Sequence, residues 1–298
     1  MIKLFKKISC VAMALIMLFS ANVVAFAAES SVESEEGTSL RCFNVAEQKE
    51  TIINLESAST WDMTPRNSYA SHTMSTYTFV DGEDNRTQIT NTTSSPYYAI
   101  VYIRTEFNNG TWKPGTGFMI SENVLLTAGH CVYTAGTTVK SVTVYPGRNG
   151  NSYTISSTAA QIYTDTKYTG SEGNWDYGIV TLNDDLGDTC GWLGLHATSS
   201  ASSLDGMNIK TAGYPSDKAS GDNRTMWYAT GEISNVTTYR FQHDADTASG
   251  QSGSPIYFYN STYGNQAVGI HTHGGNYARK ITNTLFDWLE EEGYITAS

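Results

Sequence analysis

Gly250-Gln251-Ser252-Gly253-Ser254-Pro255 presents a serine flanked by glycines, with another small residue and a proline behind it. Glycine lets the backbone turn tightly and lets a substrate approach closely. The backbone N–H groups of Gly250 and Ser252 can there point at a developing oxyanion. Glycine- and serine-rich turns are common, so the string needs company. It has company in Thr127-Ala128-Gly129-His130-Cys131 and in Asn174-Trp175-Asp176-Tyr177-Gly178-Ile179-Val180. Together the three strings offer a histidine, an aspartate and a serine, in that chain order.

A hydroxyl is a feeble nucleophile at neutral pH and needs an adjacent base. Histidine suits that task because its pKa lies near working pH. A carboxylate then fixes the imidazole tautomer and stabilises its charged form. Ser252, His130 and Asp176 fit these roles. Each also has a plain explanation: a turn serine, a satisfied structural histidine, and an aspartate that caps a turn before a strand-like run. The rival chemistry is metal ligation, with His271-Thr272-His273 as a strand pair of imidazoles on one face. No cysteine pair or third histidine at zinc spacing accompanies it, so no metal is expected.

The three strings carry a family resemblance. The chain resembles the chymotrypsin-like serine peptidases and, among them, the secreted bacterial glutamyl endopeptidases. The likeness runs from about Phe79 to the C-terminus. It also includes Arg86-Thr87, Gly115-Thr116-Gly117-Phe118-Met119-Ile120, Pro146-Gly147-Arg148-Asn149-Gly150, Gly213-Tyr214-Pro215 and Gly269-Ile270-His271-Thr272. It implies an all-β fold of two six-stranded antiparallel β-barrels, with the site in the cleft between them and a C-terminal α-helix. It implies a pocket for a glutamate side chain, with His271 as the pocket histidine and Thr247 as the pocket hydroxyl. Ser254, Asp165 and Asp184 do not match the family strings. The expected activity is hydrolysis after Glu, with Asp weaker, on protein and peptide substrates, by a monomer without a cofactor. The alternatives are a chymotrypsin-like endopeptidase with another preference, or a secreted binding module that has kept the fold.

Two departures from the family stand out. Gln251 occupies the position where trypsin-type enzymes carry an aspartate that pairs with the new N-terminal amine. Gly115 stands where many relatives have a cysteine partner for Cys131. Cys131 is therefore expected as a buried free thiol rather than joined to Cys190.

The 298 residues carry 29 acidic and 18 basic side chains, for a net charge of −11. Without grouped cations a nucleic-acid partner is not expected. Residues 1–27 read as a secretory signal: Lys3, Lys6 and Lys7, an apolar run over 8–19, and Ala25-Phe26-Ala27 as a small-x-small cleavage site. The apolar run is too short to span a bilayer comfortably, so stable membrane association is not expected. The product is expected outside the cell. Residues 28–78, rich in Ser, Thr and Glu, carry too few clustered apolar side chains to bury much surface alone. They are expected to be a pro-segment, with the new N-terminus near Phe79 or Val80. Residues 79–298 form the peptidase domain, with 79–190 as first barrel and 191–298 as second barrel plus helix. Strand-like runs appear at 98–103, 117–120, 124–127, 141–145, 177–182, 207–212, 225–233, 255–259 and 267–271, rich in Val, Ile, Tyr, Phe and Thr. The segment 187–203 reads as the crossover between barrels. Ile281, Leu285, Phe286, Trp288 and Leu289 share a helical face behind Thr282 or Asn283 as cap.

Overall fold

A computed structural model describes residues 39–55, 66–67, 84–273 and 276–297, all within the unit Gly37–Ser298. The expected signal with its Ala25-Phe26-Ala27 site and the expected N-terminus near Phe79 lie outside the described residues. Four short strands come first: β1 (Ser39–Asn44), β2 (Lys49–Asn54), β3 (Arg66–Asn67) and β4 (Thr87–Ile89). The first barrel follows: β5 (Ile100–Phe107), β6 (Trp112–Met119), β7 (Val124–Thr127), β8 (Val139–Pro146), β9 (Ser157–Asp165) and β10 (Gly178–Leu182). These pair in the order β10-β7-β6-β5-β8-β9, and β9 pairs back onto β10 to close the ring. Every ladder in it is antiparallel.

A short helix, Gly187–Cys190, and β11 (Gly194–Ala197) then lead across to the second barrel. Its strands are β12 (Asn208–Gly213), β13 (Met226–Ser234), β14 (Arg240–His243), β15 (Pro255–Asn260), β16 (Gly264–His273) and β17 (Tyr277–Lys280). They run β15-β12-β13-β14-β17-β16, closed by β15 on β16. The fold is therefore two closed six-stranded antiparallel barrels, followed by a C-terminal helix at Asn283–Glu291. Closure removes the unpaired edges that an open sheet would expose.

Strand periodicity explains the cores. In β8, Val142, Val144 and Pro146 are buried, while Thr143 and Tyr145 between them are half-buried. In the second barrel, Ile209, Ile233, Phe241, Ile256 and Val268 make a separate core. Thr282 caps the final helix, its hydroxyl accepting from Leu285 N at 3.4 Å. That helix buries Leu285, Phe286, Trp288 and Leu289 in the larger cluster that includes the first barrel's interior, with Trp288 edge-on to Tyr163.

The β1–β2 hairpin falls inside the expected pro-segment. β1 lies antiparallel to β9, from Leu40 opposite Asp165 to Asn44 opposite Gln161. Leu40, Cys42 and Phe43 are buried. Those few apolar side chains could not make a core alone, but here the barrel wall is their partner. Arg41 adds a bond to the Thr164 hydroxyl at 3.3 Å and stacks over the Tyr133 ring at 4.7 Å.

Candidate active site

Three of the expected site residues converge from different elements. β7 ends at Thr127, and the four-residue helix Gly129–Val132 behind it carries His130 and Cys131. The turn Gly173–Trp175 delivers Asp176 just before β10. Ser252 sits in the loop that enters β15. His130 Nδ1 lies 2.8 Å from Asp176 Oδ2, and the His130 backbone N–H donates to Asp176 Oδ1 at 2.9 Å. One carboxylate thus holds both the ring and the main chain of one histidine. The Asp176 side chain is 4% exposed, the His130 ring 30%.

The serine loop is clamped by the first barrel. Thr116 N–H donates to Ser252 O at 2.8 Å, and Thr116 Oγ1 donates to Gly250 O at 2.9 Å. Tyr214 N–H in turn donates to Thr116 Oγ1 at 3.0 Å. Cys131 Sγ lies 3.5 Å from the same Ser252 carbonyl, so the residue beside His130 touches the serine's main chain. Ser252 Oγ donates to Thr272 O at 3.0 Å; among the described residues it makes no bond to His130. Such bonds are often loose until a substrate is bound. Gly250 and Gly253 adopt φ of +94° and +90°. A side chain at Gly250 would stand 2.6 Å from Tyr214 O, and one at Gly253 would overlap Thr116 O. Among the described residues, the N–H groups of Gly250 and Ser252 have no acceptor, while those of Gln251 and Gly253 are bonded to Ala248 O and His271 O. Two neighbouring unused donors are what an oxyanion requires.

Gln251 is fully buried, with Oε1 accepting from Ala248 N at 2.9 Å and Nε2 left without a partner. Cys131 and Cys190 are both free and buried. A Cβ on Gly115 would stand 2.8 Å from Cys131 Sγ, so Gly115 does face the thiol as the family comparison implied.

The expected pocket residues lie near two that the sequence did not single out. His271, 3% exposed, places Nδ1 3.2 Å from Nε2 of buried His243. Thr247 Oγ1 donates to Asn276 Oδ1 at 2.6 Å, and Asn276 O accepts from His243 N at 3.0 Å. A further missed contact is that of His273, whose Nδ1 stands 3.7 Å from Asp176 Oδ2. Only a fold could show these, because His243 stands 28 residues before His271 and Asn276 stands 29 residues after Thr247.

Electrostatics follow from burial and neighbours. Burial works against the Asp176 anion, but hydrogen bonds from His130 and His273 outweigh it and hold its pKa well below the usual carboxylate range. Burial also disfavours the His130 cation, yet the Cys131 sulfur and the Asp176 carboxylate together push its pKa above the ordinary histidine value. Burial pushes His243 down to about 4 and His271 well below 6.5, where the His243 charge adds to the effect. Both pocket imidazoles are therefore neutral near pH 7.

A group whose folded pKa is depressed takes up its proton more readily when unfolded. Stability from these two histidines is therefore complete above pH 6.5 and is lost as pH falls toward 4. Each contributes a slope of up to about 1.4 kcal/mol per pH unit. Urea unfolding between pH 7 and 4.5 should show a stability loss that is shallower in His243→Gln by about 1 kcal/mol per unit. Equal slopes in both proteins would contradict the buried neutral pair.

The family model described as Trypsin matches residues 85–286, more than half of the chain, and the chain belongs to that family. It is a serine protease of chymotrypsin fold. Among proteins to which it is similar is the glutamyl endopeptidase of Bacillus licheniformis, 37% identical over 223 residues that cover 70% of this chain and 67% of that one. Another, from Bacillus subtilis strain 168, is described as an extracellular metalloprotease. It is 38% identical over 216 residues, covering 70% of this chain and 68% of the relative. A solved Glu endopeptidase in complex with MPD superposes with a TM-score of 0.62 at 29% identity, over 72% of this chain and all of that one.

Proposed function

We propose that the chain is a secreted serine endopeptidase that cuts after glutamate, and more slowly after aspartate, through an acyl-enzyme. The observation that carries this reading is the Asp176 carboxylate bonded twice to His130, beside a serine loop with two unused N–H donors. His130 Nε2 takes the proton of Ser252 as Oγ attacks the scissile carbonyl carbon. The carbonyl oxygen becomes an oxyanion held by the Gly250 and Ser252 N–H groups. Collapse expels the amine, which takes the proton from His130 and leaves an ester on Ser252. Water, deprotonated by the same imidazole, then hydrolyses the ester and restores the serine.

In the pocket, His243 Nε2–H donating to His271 Nδ1 leaves a proton on His271 Nε2 for the substrate carboxylate. Thr247 joins once the Asn276 amide turns its NH2 to the hydroxyl, freeing the Thr247 proton. Two hydrogen bonds to a charged group are worth about 1.5–3 kcal/mol each. A profile on a denatured protein mixture should show cuts after Glu, fewer after Asp, and a ten- to hundredfold lower kcat/KM after Gln. His271→Ala should erase most of that difference. Equal cleavage after Glu and Gln from pH 5 to 9 would reject this pocket and leave an endopeptidase of another preference. That pH span brackets the usual titration of histidine.

We further propose that residues 1–27 direct export, that 28–78 are removed on activation, and that the active form is a monomer. Removal would take away the β1–β2 hairpin and uncover β9 at Gln161–Asp165, the stretch that β1 covers. The Bacillus subtilis relative's description raises a metal-dependent reading. Among the described residues, Glu122, Asp185 and Asp188 bring three exposed carboxylates within 4.8 Å of one another, without a histidine. Hard carboxylate oxygens suit calcium or magnesium rather than a hydrolytic zinc. A chelator that abolishes hydrolysis while an organophosphonate leaves it intact would favour the metal reading.

A further inference from the structure

We propose that Arg240 and His273 form a second substrate subsite, one that takes an acidic side chain upstream of the cleaved bond. The inference rests on the serine-peptidase reading of the cleft. His273 ends β16, directly after Thr272, whose carbonyl accepts the Ser252 hydroxyl. Its side chain is 44% exposed and its Nδ1 lies 3.7 Å from Asp176 Oδ2, so it borders the open cleft beside the proposed triad. Arg240 reaches the same place from β14. A Cβ on Gly173 would stand 2.6 Å from Arg240 Nη1 and 3.0 Å from His273 Cε1. Guanidinium and imidazole thus converge on the main chain three residues before Asp176. Tyr277 floors the site: Arg240 Cζ lies 5.0 Å from its ring centre and the His273 ring 5.9 Å.

What marks Arg240 in an acidic chain is a guanidinium that meets neither a carboxylate nor a carbonyl among the described residues, where Arg279 gives Nη1 to the carbonyls of Tyr239 and Lys280. Arg41, Arg86, Arg104, Arg148 and Arg224 each lie within 4.0 Å of a carboxylate. Arg240 has no carboxylate within that distance among the described residues, and its buried Nε makes no hydrogen bond. A planar guanidinium with unused donors matches a carboxylate in two-pronged fashion. The occupant that fits is the side chain of a Glu or Asp within the three residues before the cut residue. The peptide's extended backbone would carry it past Thr272 toward Gly173.

The test uses peptides whose other side chains are uncharged, built on the residue that the cleavage profile identifies and followed at that one bond, so failure of the glutamate reading leaves this test intact. Glu or Gln is placed in turn at the second, third and fourth residues before the cut. At one of these positions, Glu should raise kcat/KM over Gln about tenfold at low salt, the size of one charge-assisted bond. Added salt should shrink that ratio, because the site is partly exposed. R240Q should bring it close to one, and R240K should keep part of it, which also covers the case in which R240Q fails to fold. A ratio near one at all three positions in the unaltered enzyme, or a ratio that survives R240Q, overturns the subsite. An enzyme whose Ser252 still reacts with an organophosphonate but whose upstream scan is flat would lose the subsite and keep the proposed function.

Discussion

Ser252→Ala is expected to lower kcat by about 10⁵- to 10⁶-fold while the protein stays folded. In the proposed mechanism the acyl group is carried on Ser252 Oγ, so the variant loses the acyl-enzyme route altogether. What remains is the contribution of the Gly250 and Ser252 N–H groups and of substrate binding, which are main-chain or remote features that alanine keeps. The fold should survive because the hydroxyl makes one described bond, to Thr272 O. Losing a single such bond costs about 1 kcal/mol against a total stability of about 5–15 kcal/mol. The measurement is kcat and KM on a peptide cut by the unaltered enzyme, alongside circular dichroism. A variant that retains more than a few per cent of activity would remove Ser252 from the mechanism.

The next largest expected effect is that of Asp176→Asn, a loss of about 10⁴-fold in kcat at neutral pH with little change in KM. The carboxylate accepts from the His130 ring and from its backbone N–H. An asparagine that keeps the backbone bond through Oδ1 turns its NH2 toward the ring. Nδ1 must then accept, the ring proton moves to Nε2, and the face turned to Ser252 can no longer act as a base. The raised pKa of His130 should fall in the same variant, because one of the causes of the rise is removed. Titration of the ring by NMR reads that shift independently of activity. If Asp176→Asn left both the rate and the His130 titration unchanged, the two residues would not act together.

Much of this arrangement is legible in the residues. β5, β6, β7, β8, β10, β12, β13, β15 and β16 coincide in whole or in part with runs of β-branched and aromatic residues. The strands that composition does not reveal have physical reasons for hiding. β9 opens Ser-Thr-Ala-Ala-Gln, where small and polar residues lie between β1, β8 and β10. β14 is four residues long, and its Arg240 and Gln242 read as surface. β17 ends in Arg279 and Lys280, both buried, with their charges met by the carbonyls of Tyr239 and Thr237 among other contacts. A charged pair at the end of a core strand is invisible until the carbonyls that receive it are known.

The site divides the same way. Its three reactive side chains stand in strings that can be read in one dimension. The groups that hold them do not. Thr116 looks like any β-branched strand residue, yet its N–H and hydroxyl tie Gly250, Ser252 and Tyr214 together across the barrels. His243 and Asn276 matter through their contacts with His271 and Thr247, 28 and 29 residues away along the chain. The hairpin at 39–54 hides for another reason: its few apolar residues are insufficient by themselves and become sufficient on β9.

The most direct test of the central claim is to treat the active protein with an organophosphonate and map the adduct by peptide mass spectrometry. The account predicts one phosphonyl group, on Ser252 Oγ, formed in step with the loss of peptide hydrolysis. Full inactivation with Ser252 unmodified, or full activity with Ser252 modified, would contradict it.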